Sequence, residues 1–190
     1  MRISRIAATV VAASALVVSA TPAFAGRYVH SDAWRDVVVS DHTDTSVSRG
    51  DVTRVEIVHG DRKVLVKIKV RSLDAHGVRS QFVGVKTNEG LVRKVNVTAS
   101  IGATAPTDVD FTKANNTSLS CQYLRVNYYQ STSVVSVAIP RSCLSQPRWV
   151  QVAVGSYETE DGEAIGTDDG LRRGLLGHDQ FVLSPRVFRG

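Results

Sequence analysis

From Val64 the chain alternates with period two: Val64, Val66, Ile68 and Val70 fall on one side, Leu65, Lys67, Lys69 and Arg71 on the other. An extended strand sends successive side chains to opposite faces, so this stretch reads as a strand with one buried and one wet face. Upstream, Val55 and Ile57 alternate with Arg54 and Glu56, and His59-Gly60-Asp61-Arg62 makes a turn between the two runs. Val52 to Arg71 is therefore predicted to be a hairpin. A slip of one residue would drive two lysines and an arginine into the interior, so the register is strongly specified.

Valine extends this reading to the whole chain. Residues 26–190 hold 27 valines against ten leucines. β-branched side chains suit a pleated surface better than a helix, and no window keeps the three-and-four apolar spacing of an amphipathic helix. A second hairpin is predicted from Phe82–Thr87 and Leu91–Ser100 around Asn88-Glu89-Gly90, and a strand near Val109–Lys113. Cys121–Tyr129 and Ser133–Ile139 form a third pair closed by Pro140, and Trp149–Tyr157 is the next strand. The stretch from Glu158 to Gly170 reads as a polar loop, and Phe181–Leu183 as a last strand. Eight to ten closely spaced strands, with no linker and no repeat, predict an all-β chain: a single antiparallel β-sandwich, jelly-roll-like, over 26–190.

The first 25 residues have a different character. Arg2 and Arg5 precede a small-apolar run from Ile6 to Ala20, and Ala23-Phe24-Ala25 supplies an A-x-A cleavage site. That is the layout of a signal peptide, and the run is shorter than the roughly 20 residues of a membrane-spanning helix. A secreted protein with no membrane span in its mature chain is the expectation. Cys121 and Cys143 are the only cysteines, and in an exported chain such a pair reads as a disulfide. Without the leader, 21 basic residues face 18 acidic ones, a net of +3, and the arginines are scattered. No basic stripe interleaved with aromatics marks a nucleic-acid surface.

Catalytic signatures are missing. There is no G-x-S-x-G, H-E-x-x-H or S-x-x-K. The histidines (His30, His42, His59, His76, His178) lie far apart, mostly in predicted turns or loops, and none is spaced for zinc. No catalytic residue is assigned. Calcium is the one cofactor the residues suggest. Glu160, Asp161, Glu163, Asp168 and Asp169 crowd five carboxylates between glycines 162, 166 and 170, and hard cations take six to eight oxygens from such loops. Asp41, Asp44 and Asp51 form a second acidic stretch. Aromatic side chains stack on sugars. Trp34, Tyr128, Tyr129 and Tyr157 are the candidate ligand contacts, Tyr123 is also considered, and Trp149 is expected in the core beside the disulfide.

Three stretches carry a resemblance: Gly50-Asp-Val-Thr-Arg-Val55 running into Val64–Val70; Ile139-Pro-Arg-Ser-Cys143-Leu with Trp149-Val150; and the ending Ser184-Pro-Arg-Val-Phe-Arg-Gly190. Together they resemble exported β-sandwich proteins of high-GC Gram-positive bacteria. The strand pattern is also similar to family-nine carbohydrate-binding modules and DOMON sandwiches, which implies sugar or haem binding, often beside calcium. Haem held by a methionine–histidine pair is excluded, because no methionine follows Met1. The expected function is a non-catalytic exported binding module for a glycan or cell-wall polymer. The alternatives are a protein-interaction or structural module binding an envelope protein, and a hydrolase whose triad residue order hides.

Overall fold

Alternating valines build two antiparallel sheets that share one interior. The computed structural model describes residues 26–39, 42–43, 50–73, 78–100, 103–160, 163–172 and 181–190. The predicted leader lies outside them. In chain order the strands are β1 Gly26–Ser31, β2 Val38–Val39, β3 His42–Thr43, β4 Val52–His59, β5 Lys63–Val70, β6 Val78–Thr87, β7 Val92–Ala99, β8 Asp108–Lys113, β9 Arg125–Tyr129, β10 Val134–Pro140, β11 Trp149–Glu160, β12 Glu163–Asp169 and β13 Val187–Phe188. Among the described residues there is no α-helix, only short 3-10 turns at Gln130–Thr132 and Arg141–Leu144. No helix among them is long and apolar enough to cross a membrane.

One sheet has five strands in the order β1-β4-β5-β10-β9. The other has eight, running β3-β2-β12-β11-β6-β7-β8, with β13 beside β11. The chain passes back and forth between them, so neighbouring strands are often distant in sequence. Val55, Ile57, Val66, Ile68 and Val137 from the first sheet meet Val83, Val95, Val97, Val152 and Val154 from the second, all fully buried. The β4–β5 hairpin has the predicted faces and a bulge between Val52 and Arg54. Gly90 takes φ +75 in the β6–β7 turn, the left-handed region that glycine enters without a Cβ clash.

The stretch expected as a polar loop after Tyr157 is instead a hairpin. β11 continues to Glu160 and pairs with β12, which ends at Asp169. Its inward residues are charged, so no apolar alternation marks it: Glu158 and Arg79 are both nearly buried and approach to 3.7 Å, and Asp168 is buried as well. The last strand is Val187–Phe188, paired with Trp149 and Val150, rather than Phe181–Leu183. Phe181 stacks on Phe82 across the eight-stranded sheet. A Cβ on Gly155 would sit 2.4 Å from that ring, so this close approach requires glycine. Trp149 is half-buried, with the Arg186 guanidinium 4.5 Å from its ring centroid, not enclosed in the core.

His59 is not a turn residue. It ends β4, fully buried, with Nδ1 3.0 Å from the carbonyl of Val187. A carbonyl only accepts, so Nδ1 carries the proton of the neutral ring. Burial, reinforced by Arg141 and Arg189, holds its pKa below the ordinary 6.5. The folded ring therefore resists a proton that the unfolded ring takes. Its stabilisation is fully present above pH 6.5 and is lost as pH falls through the folded value. Urea midpoints of the parent and His59→Gln at pH 7.5 and pH 5 are expected to show the parent losing ground to the variant as pH falls, the difference between the two isolating the His59 contribution.

Cys121 and Cys143 are bonded, 22 residues apart, bracketing the β9–β10 hairpin. Cys121 lies before β9 in a turn rather than in the strand; the amide of Leu124 donates to its carbonyl at 3.3 Å. Chain-entropy reasoning for a loop of this length predicts that replacing both cysteines with serine lowers unfolding free energy by about 3 kcal/mol. Urea unfolding would show it, with a steeper slope because the unbridged unfolded chain exposes more surface.

Candidate functional site

On the outer face of the five-stranded sheet, β10, lying between β5 and the edge strand β9, presents small side chains. Val134, Ser136 and Ala138 alternate outward, paired with Lys69, Lys67 and Leu65 of β5 on one side and with Tyr129, Asn127 and Arg125 of β9 on the other. Short residues flanked by long ones leave a trough of about 1040 Å³. Arg62, Lys63, Lys67 and Arg125 line it, as do Tyr123 and Tyr129, which are 66% and 50% exposed; among the described residues no carboxylate does. Glu56 on β4 lies 3.6 Å from Lys67 but is also bonded to Arg27 at 2.9 Å. Tyr123 takes φ +66, unusual for a bulky residue, in the turn that the disulfide anchors.

The aromatic candidates separate. Tyr129 is at the trough. Tyr128, its neighbour in the same strand, must face the other way. Its hydroxyl donates to Gln81 Oε1 at 2.5 Å, joining β9 to β6 across the interior, and burial pushes its pKa up to about 12. Tyr157 packs edge-on against Phe181 at 5.8 Å on the other sheet, half-buried, its pKa also raised by burial to about 12. Trp34 is 61% exposed, but Arg35 and Arg71 stand 4.5 and 4.8 Å from its ring centroid. Its face is held by guanidinium groups, away from the trough. A smaller, apolar depression of about 520 Å³ lies on the eight-stranded sheet around Phe82, Val92, Phe181 and Leu183.

The acidic candidates separate too. Glu160 and Glu163 pair at the turn of the β11–β12 hairpin, and Asp161 lies outside the described residues. Asp168 sits five residues further along β12, about 17 Å at the usual strand rise of ~3.4 Å. Asp168 is therefore remote from the turn. Asp169 is already engaged: it accepts the amides of Leu171 and Val182 at 3.2 and 2.7 Å and pairs with Arg172 at 3.4 Å. Asp168 instead joins Asp32 and Asp36, one carboxylate oxygen of each lying within 4.8 Å of the others. Asp168 Oδ2 accepts the amide of Val52 at 2.6 Å. Asp32 Oδ1 accepts the amide of Ala33 at 2.8 Å and lies 3.7 Å from His30 Nε2. Asp51 is fully buried, its Oδ2 accepting the amide of Arg35 at 3.0 Å.

Burial, with the neighbouring carboxylates adding to it, raises Asp32 to about 9 and Asp168 to about 7; burial raises Asp51 as well. Asp32 and Asp36 were missed in the sequence, being scattered acids more than 130 positions from Asp168. Of the second acidic stretch, Asp51 reaches this neighbourhood, while Asp41 and Asp44 lie outside the described residues. No protein-family model, curated protein or solved structure matches the chain.

The geometry gives Tyr128 a structural role. Tyr128→Phe strips the partner from Gln81 Oε1, a group 1% exposed, and is expected to cost about 1–3 kcal/mol in a denaturant titration.

Proposed function

We propose that this chain is an exported, non-catalytic binding module that holds an anionic glycan or cell-wall polymer along the outer face of its five-stranded sheet. The observation that carries the reading is the trough itself: four cations and two exposed tyrosines surround a floor of small side chains, with no carboxylate among the described residues that line it. Guanidinium and ammonium groups pair with carboxylates or phosphates on a polymer, and tyrosine rings offer flat faces for sugar rings between them. An open trough crossing three strands suits an extended chain better than a small enclosed substrate. The leader-like N-terminus and the disulfide support export. Of the histidines, His59 is committed to the Val187 carbonyl, in keeping with a binding rather than catalytic role.

The alternative, a protein-interaction or structural envelope module, would use the apolar depression around Phe82 and Phe181. The two faces are distinguished by substitution. A soluble polyuronate and a neutral glucan of equal length are the probes, titrated at low and high salt. The polyuronate is expected to bind, more weakly at high salt, with the glucan bound poorly. Arg125→Ala and Tyr129→Ala are each expected to weaken binding about tenfold, equivalent to ~1.4 kcal/mol, with stability unchanged. Binding of neither polymer, or binding indifferent to both substitutions, sinks the proposal.

A further inference from the structure

We propose that Asp32, Asp36 and Asp168 hold one calcium ion, clasping the crossover after β1 to strand β12 of the opposite sheet. The three carboxylates come from different stretches of chain and offer oxygens within 4.8 Å of one another. Oxygens bound to a single calcium at 2.3–2.6 Å can be no more than about 5 Å apart, so the spacing fits one ion. A separate observation points to a ligand. Asp32 has a side chain with no exposed surface, and its Oδ2 has no hydrogen-bond partner among the described residues. Asp51 Oδ1 is in the same condition, and its carboxylate is electrostatically coupled to those of Asp36 and Asp168. A buried carboxylate oxygen that meets no donor is costly unless a cation faces it.

The donors select the metal. All three are hard oxygens, with neither sulfur nor imidazole in the set, which disfavours zinc. His30 Nε2, although 3.7 Å from Asp32 Oδ1, is not one of the converging atoms. Magnesium keeps several waters and wants a regular octahedron, whereas buried carboxylates with nearby backbone suit the looser shell of calcium. Among the described residues, Arg172 pairs with Asp169, and Arg35 and Arg71 act on Asp51.

The test uses the full chain, stripped with EDTA and titrated with calcium chloride or magnesium chloride. Calorimetry is expected to give one calcium per chain. At a hundredfold excess over Kd the unfolding midpoint is expected to rise by about 5–10 °C, with a much smaller response to magnesium. Asp32→Asn is nearly isosteric and removes a buried charge, so its midpoint in EDTA is expected to match or exceed that of the parent while the calcium response is lost. Asp36→Asn is the second variant should the first fold poorly. Glu163→Gln, at the hairpin turn, is expected to keep the full response. A parent that ignores calcium, a response surviving in both aspartate variants, or one lost only in Glu163→Gln overturns the proposal.

Discussion

Valine and isoleucine side chains from both sheets occupy the same interior. Val66 and Ile68 of β5, Val137 of β10, Val83 of β6 and Val152 of β11 are all without exposed surface. Neither sheet could persist alone in water with that face open, so each exists because the other covers it. Burying one such side chain is worth roughly 1.5–3 kcal/mol, and these stiff branched residues lose little rotamer freedom in doing so. The strands on either side inherit their positions from that closure. The trough over β10 is shaped by its neighbours β5 and β9, and β12 is carried in by β11.

The interior turns polar around the crossovers. Glu158 meets Arg79, Tyr128 reaches Gln81, Asp168 receives the amide of Val52, and His59 donates to Val187. These contacts join segments far apart in sequence and substitute directional bonds for shape-filling side chains. Where partners suffice the groups are structural, as with Asp169 and its two amides and arginine. Where carboxylates face one another with an oxygen unmet, as around Asp32, the chemistry calls for a cation or a proton.

The hairpins were legible because their information is local. Period two separates the faces of β4 and β5, and a Gly-containing turn joins β6 to β7. The same rule, applied strictly, would have sent Tyr128 and Tyr129 to opposite sides and left Tyr129 alone as an outward candidate. The β11–β12 hairpin was illegible for a different reason: its buried positions carry Glu158 and Asp168, and charge in a strand reads as loop until the partners are known. Tyr123 could be recognised as an aromatic candidate, but not as standing at the rim of a trough.

By itself the sequence determined the class of fold, the facing of its best strands and the pairing of its two cysteines. Each follows from alternation along one strand or from having only one partner available. Tertiary structure alone decided which side chains meet. Asp32, Asp36 and Asp168 converge, and Lys67, Ser136 and Asn127 line up across three strands. Such meetings depend on which strands neighbour each other after the chain crosses between sheets, and that order comes from closing the shared interior rather than from any local pattern.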